Sequence, residues 1–352
     1  MHSMFTGFET YSIDTLATLI QQWHQPRFRT KQLIEWVYQK HAQSFEDMTN
    51  LPLSLRSQLE QNAPLHRPAC VKRQISHDGT RKYLLKLTDG ECIETVGIPS
   101  LRLSEDGTSK RLTVCVSTQV GCPMACLFCA TGQGGFTRNL YPGEIVNQVL
   151  HVEQDMDARV SNVVFMGQGE PFLNYDNVLG AARILNASYG CGVGARHITI
   201  STCGIPQGIK QFGAIPEQFT LAVSLHSAIQ KTRNHIMPHC ASMPLTKLKA
   251  ALETYYEQAG RRITFEYMLI DRVNDQKNDL RALIDFCQGL PAHINILTMN
   301  DIPGNTLNGS HGDRAKSWVT QLEAAGIEAT IRTSRGSDIA GACGQLKTQS
   351  GK

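Results

Sequence analysis

From residue 111 onward, short apolar and β-branched runs alternate with longer amphipathic ones, and no other feature limits the fold of this chain as tightly. The strand candidates are RLTVCVS (111–117), NVVFM (162–166), HITIS (197–201), FTLAVSL (219–225), ITFEYMLI (263–270), HINILTM (293–299) and EATIRT (328–333). Helical patterns fill 143–156, 174–188, 245–259, 276–289 and 312–325. Such alternation predicts an α/β fold with a parallel sheet and helices packed outside it. About six units fit a partial (β/α)6 barrel better than a closed eight-unit one, and chemistry in such folds sits on loops at the carboxyl ends of strands.

Two regions precede the barrel. Within residues 1–65, FRTKQLIEWVYQKH places Leu33, Trp36 and Val37 at helical spacing, and Pro52 stands near a further helix start. Within 66–110, three strand-like runs (70–76, 81–87, 91–98) are separated by Asp78-Gly79 and Asp89-Gly90, dipeptides that supply the positive φ of tight hairpins. They predict a short antiparallel meander, followed by a linker or hairpin over 98–110. The expected division is a small helical domain (1–65), a β extension with linker (66–110), the barrel (111–340) and a C-terminal tail (341–352).

No stretch of 18 or more apolar residues is present, so no membrane span is expected. The first twenty residues lack a basic segment followed by an apolar one, which reads as no signal peptide and a cytoplasmic location. The eleven cysteines are unevenly spaced, unlike a secreted disulfide framework. Net charge is only +3, yet His66 to Thr88 gathers Arg67, Lys72, Arg73, Arg81, Lys82 and Lys86 against the single acid Asp78. That run is either a solvated strand face or a basic docking patch.

Right after the first barrel strand comes Gly121-Cys122-Pro123-Met124-Ala125-Cys126-Leu127-Phe128-Cys129. Cluster irons need thiolate ligands, and close spacing lets one loop wrap three of them round a [4Fe–4S] cubane. Three ligands leave one iron open, which in radical enzymes chelates the amino and carboxylate groups of S-adenosylmethionine. The alternatives are a zinc site, which would need a fourth ligand from elsewhere, or three packed thiols. At the ends of later strands stand Gly167-Gln168-Gly169-Glu170-Pro171, Ser201-Thr202-Cys203-Gly204 and Ser224-Leu225-His226. Glu170 could accept from an ammonium group, and glycines let a ligand approach the backbone.

These residues resemble a known family. Val114-Cys115-Val116-Ser117-Thr118-Gln119-Val120-Gly121-Cys122, Cys126-Leu127-Phe128-Cys129-Ala130-Thr131-Gly132 and Arg335-Gly336 through Ala342-Cys343-Gly344-Gln345-Leu346 look like the RlmN/Cfr family of radical S-adenosylmethionine RNA methyltransferases. The resemblance implies a radical-SAM barrel that methylates a ring carbon of adenosine in RNA, in 23S rRNA and, in some members, tRNA. Gly169-Glu170-Pro171 fits the carbon-2 branch better than the carbon-8 branch, which is the alternative. By resemblance, Cys343 is the methyl-carrying thiol, Cys115 the thiol that resolves it through a disulfide, and Glu94 the proton acceptor. Cys122, Cys126 and Cys129 match the cluster ligands; Gly169, Glu170, Ser201, Ser224, Leu225, His226 and Asn300 match S-adenosylmethionine contacts. RNA is the implied partner, docking on the helical region and the basic strands, with a flavodoxin or ferredoxin as electron donor. Two readings from other classes are a radical enzyme with a different substrate and a zinc-stabilised RNA-binding module. The chain departs from the family in a longer Glu94–Cys115 segment, in Gln168 and in the absence of a proline within Leu297-Thr298-Met299-Asn300-Asp301.

Overall fold

The computed structural model describes residues 7–101, 111–302 and 304–347. Helices α1 (Ile13–Gln22), α2 (Phe28–Ile34, continued as a π-helical turn over Glu35–Gln39) and α3 (Leu53–Asn62) make the N-terminal region. Ser12 and Thr15 cap α1 reciprocally: each hydroxyl accepts the other's backbone N–H, at 3.2 and 2.8 Å. Leu33 and Val37 turn inward, as their spacing predicts, whereas Trp36 is only half-buried. Pro52 immediately precedes α3.

Strands β1 (Ala69–Ile75), β2 (Arg81–Lys86) and β3 (Cys92–Pro99) form the expected meander. Gly79 and Gly90 take the positive φ that its turns demand. The meander is no separate sheet. β3 pairs antiparallel with β4 (Leu112–Cys115), bringing Val96 opposite Cys115 and joining both halves into one ten-stranded sheet. Residues 102–110 of the expected linker lie outside the described residues.

Beyond β4 come β5 (Gln119–Gly121), α4 (Ala130–Gln133), β6 (Phe136–Asn139), α5 (Pro142–Met156), β7 (Asn162–Phe165), α6 (Tyr175–Asn186), β8 (Ile198–Thr202), α7 (Pro206–Gly213), β9 (Thr220–Ser224), α8 (Gln230–Ile236), α9 (Leu245–Ala259), β10 (Ile263–Leu269), α10 (Lys277–Cys287), β11 (Ala292–Thr298), α11 (Gly312–Ala324) and β12 (Glu328–Arg332). β4 and β7 to β12 pair in parallel, in chain order, and one apolar core runs between sheet and helices. The sheet does not close, so this is the partial barrel that the alternation predicts. None of the described helices is long and apolar enough to cross a membrane.

Three elements escape the sequence pattern. α7 opens on Pro206 and holds two glycines; Gly208 is needed because a Cβ there would come within 2.7 Å of the Phe172 ring. α8 buries only Arg233 and Ile236 and shows no apolar stripe. The β5–β6 hairpin frames the cysteine loop, and a Cβ at Gly121 would press within 2.1 Å of the Gly135 carbonyl.

Candidate active site

The cysteine loop leaves β5 and is fixed by its backbone. Cys122 N–H donates to Gly135 at 2.7 Å, Leu127 N–H to Ile236 at 3.0 Å and Cys129 N–H to Cys126 at 3.1 Å. His239 Nδ1 lies against the Pro123 carbonyl. Cys122, Cys126 and Cys129 all open on one inner cavity of about 150 Å³, among Met124, Phe128, Met237 and Met268. Burial pushes the Cys122 thiol up to about 12 and Cys126 well above its ordinary range, so each needs a metal to become a thiolate ligand. Among the described residues, no three His, Cys, Asp or Glu side chains converge enough to hold one metal ion. Three thiols facing one cavity are a donor set that fits three corners of a [4Fe–4S] cluster, whereas a structural zinc ion needs a fourth ligand.

The opposite wall comes from strand ends. Glu170 is buried: Oε1 accepts Phe172 N–H at 3.0 Å and Oε2 accepts Cys203 N–H at 2.7 Å. Burial pushes its carboxyl up, against those hydrogen bonds. Gly169 (φ +110°) carries the backbone past Thr118 and Gln119, where a Cβ would come within 2.8 Å of side-chain atoms. Ser201 and Ser224 stand with hydroxyls 3.5 Å apart. His226 has φ +53°; its Nδ1 accepts Met268 N–H at 3.1 Å and its ring meets Phe128 edge-on at 4.6 Å. Burial, reinforced by Arg233, lowers its pKa to about 3, which keeps the imidazole neutral and leaves Nδ1 free to accept.

An outer cavity of about 260 Å³ adjoins the first, sharing Cys129, Met166, Gly167, Leu297, Cys343 and Gly344. Cys115, at the end of β4, and Cys343 both line it as free thiols. Cys343 is exposed, on the boundary that the two cavities share. Burial raises both thiols, Cys115 to about 12, and each stands in the field of Arg332, which opposes the rise. The tail is fastened across the mouth of the cysteine loop. Ala130 N–H donates to Gly344 at 2.7 Å, Thr131 Oγ1 to Leu346 at 2.6 Å and Asn300 Nδ2 to the Cys343 carbonyl at 3.1 Å.

Three of the expected site residues stand elsewhere. Leu225 is fully buried and lines neither cavity. Asn300 holds the tail by the Cys343 carbonyl and lines neither cavity. Glu94, also absent from both walls, lies 3.1 Å from Lys82 Nζ and accepts Lys347 N–H at 2.7 Å. Arg332 and Glu266 are cavity residues that the motifs do not mark. A lone acid inside ITFEYMLI and a lone arginine closing EATIRT were the available signals.

The basic run over 66–88 is mostly neutralised. Arg73 and Arg81 pair with Asp155 of α5 at 2.5 and 2.7 Å, and Lys82 pairs with Glu94. Arg67 is turned inward, donating to Asn147, Val37 and Ala42. Only Lys72 and Lys86 remain exposed without an ion-pair partner among the described residues, so the patch is much smaller than its composition implies.

Residues 10–65 match the ribosomal RNA large subunit methyltransferase N-terminal domain, and residues 116–287 the radical SAM superfamily. The chain is 45% identical over 336 residues to the probable dual-specificity RNA methyltransferase RlmN of Nostoc punctiforme, covering 96% of this chain and 92% of that one. It is 46% identical over 323 residues to the protein of the same name from Thermosynechococcus vestitus, covering 92% and 93%. A crystal structure of a radical SAM methyltransferase from Sphaerobacter thermophilus superposes with a TM-score of 0.87 at 38% identity, over 97% of this chain and 99% of that one. An open parallel barrel with a three-cysteine loop at its strand ends, matched along nearly its whole length, places the chain in the RlmN family of radical S-adenosylmethionine RNA methyltransferases.

Proposed function

We propose that the protein methylates carbon 2 of an adenosine in RNA, 23S rRNA first and tRNA second, through a methylated Cys343. The observation that carries this reading is the meeting of Cys343 and Cys115 in one cavity that opens directly onto the cysteine-lined one. When bound, a [4Fe–4S] cluster and S-adenosylmethionine supply the electron and the adenosyl radical that an electron-poor ring carbon requires. Cys122, Cys126 and Cys129 would hold the cluster. Glu170, Ser201, Ser224 and His226 would hold S-adenosylmethionine beside it. Cys343, as a thiolate, takes a methyl group by displacement and presents that carbon at the boundary between the cavities. Once that carbon has given a hydrogen atom to the adenosyl radical, it would bond to the adenine ring and join RNA to Cys343; after the adduct loses the ring proton and one electron, Cys115 would attack the Cys343 sulfur and break its bond to that carbon, which takes up a proton as the methylated RNA leaves and a Cys115–Cys343 disulfide stays behind. Arg332 favours both thiolates.

Glu94 is the proposed acceptor of the ring proton, and it must first let go of the Lys347 amide to reach it. Asn300 is assigned to the tail instead of to the cofactor. The target adenine has to leave its stack to enter the outer cavity. Docking is assigned to the helical N-terminal region together with Lys72 and Lys86; reversing both charges should weaken RNA binding and flatten its salt dependence.

The test is anaerobic reconstitution with methyl-labelled S-adenosylmethionine and total RNA, followed by mapping and mass spectrometry of the labelled nucleoside. Label in 2-methyladenosine, absent with Cys343→Ala, is the expected result. Label in 8-methyladenosine would move the protein to the other branch, and no label in RNA would reject the reading.

A further inference from the structure

Glu266 is an anomaly in β10. It is 4% exposed, on a strand otherwise made of Ile263, Thr264, Phe265, Tyr267, Met268 and Leu269. Register sets it level with Ser224 on β9 and Asn295 on β11, and its side chain lines the inner cavity. Its two oxygens have different surroundings. Oε1 accepts Asn295 Nδ2 at 2.8 Å and lies 3.7 Å from Arg332 Nη1. Oε2 is buried with no hydrogen-bond partner among the described residues. A carboxylate oxygen in that position is costly unless whatever occupies the cavity satisfies it. Burial already pushes the Glu266 carboxyl up, and Arg332 only partly offsets it.

The occupant can be read from the rest of the wall. On the cofactor reading, Glu170 and the cysteine loop would hold the amino-acid end of S-adenosylmethionine, which leaves Ser201, Ser224 and Glu266 on the other strand ends for its nucleoside end. A carboxylate oxygen fixed on one side and lacking a donor on the other matches a hydroxyl group. A ribose carries two. We infer that Glu266 is a binding residue for S-adenosylmethionine, its Oε2 accepting a hydrogen bond from a ribose hydroxyl, with Asn295 as the positioning residue that aims it. This rests on the cofactor reading given above.

The test is equilibrium binding to anaerobically reconstituted enzyme of S-adenosylmethionine and its 2′-deoxy and 3′-deoxy analogues. Glu266→Ala should bind S-adenosylmethionine about 10- to 100-fold more weakly. Glu266→Gln keeps the shape without the charge and should lose several-fold, which decides the matter if the alanine variant does not fold. One deoxy analogue should bind the wild type weakly and be indifferent to either substitution. Equal binding of S-adenosylmethionine by wild type and variants overturns the inference, as does a substitution that weakens all three ligands alike. Failure of an iron-replete wild type to bind S-adenosylmethionine would remove the cofactor reading as well, so the two failures are distinguishable.

Discussion

The two cavities share a wall but are built differently. The inner one is made of strand ends and one short loop, each fixed by backbone hydrogen bonds and surrounded by methionine, phenylalanine and isoleucine side chains. The outer one joins β4, β12 and a tail more than 200 residues away in sequence from the loop it crosses; Thr131 and Leu346 are separated by 215 positions. Side-chain charges hold the tail and the meander beside it: Lys82 on Glu94 and Arg335 on Asp78, while Arg73 and Arg81 on Asp155 tie the meander to α5. The inner cavity therefore depends on packing at one end of the sheet, and the outer one on side-chain bonds between elements distant in sequence, each worth little by itself.

The largest effects should separate the cavities cleanly. Cys126→Ala should abolish iron binding and methyl transfer together, checked by iron content and labelled RNA. Cys343→Ala should lower methyl transfer on the order of 10³-fold or more, as removal of one member of a concerted set does, yet leave iron content and S-adenosylmethionine binding unchanged. Loss of cofactor binding in Cys343→Ala would show that the two sides are one unit. Next comes Glu94→Gln. As a proton acceptor Glu94 contributes about 10²- to 10⁴-fold; as a tail anchor alone it contributes no more than a charge-assisted hydrogen bond. Single-turnover assays should show a loss of at least about 10²-fold. A smaller loss would make Glu94 a positioning residue for the tail.

Asn300→Ala sharpens the same contrast at lower cost. Removing its bond to the Cys343 carbonyl should reduce turnover by about 2- to 10-fold, the worth of one hydrogen bond, with S-adenosylmethionine affinity unchanged. A fall in that affinity would return Asn300 to the cofactor side.

This division also marks what the sequence makes legible. Barrel strands fall within one or two residues of their expected limits because β-branched runs at strand length have few alternatives. The inner cavity is written in contiguous motifs: three cysteines within eight residues, Gly169-Glu170, Ser224 and His226. Glu266 and Arg332 carry no motif, and only the register of β10, β11 and β12 shows that they face inward together. The basic run misleads for a related reason. The acid that neutralises Arg73 and Arg81 is Asp155, 82 and 74 residues further on and on another element, so local charge counting cannot include it. α7 and α8 were hidden by their glycines and their polarity.

The smallest expected effect tests whether charge does hold the edge of the sheet. Burial raises the carboxyls of Asp78 and Asp155, but hydrogen bonds from Arg335 and Thr80 to the first, and from Tyr83, Arg81 and Arg73 to the second, outweigh it. Both end below the ordinary carboxylate range, Asp155 at about 2. A carboxylate whose folded pKa is depressed stabilises the fold above its unfolded value and loses that contribution as pH falls through the folded one. The clamp between β1–β2 and α5 should therefore weaken between about pH 4, the unfolded value, and about pH 2. Asp155→Asn lacks the charge at every pH. Its melting temperature should lie about 1–3 °C below wild type near neutrality, with the gap narrowing in that acid window. Hydrogen exchange should show β1 and β2 opening first while β8 to β10 stay protected, since the charges hold only the outer edge. A gap independent of pH would mean that the aspartate acts by shape and hydrogen bonding alone, and the charge-held edge of the sheet would lose its support.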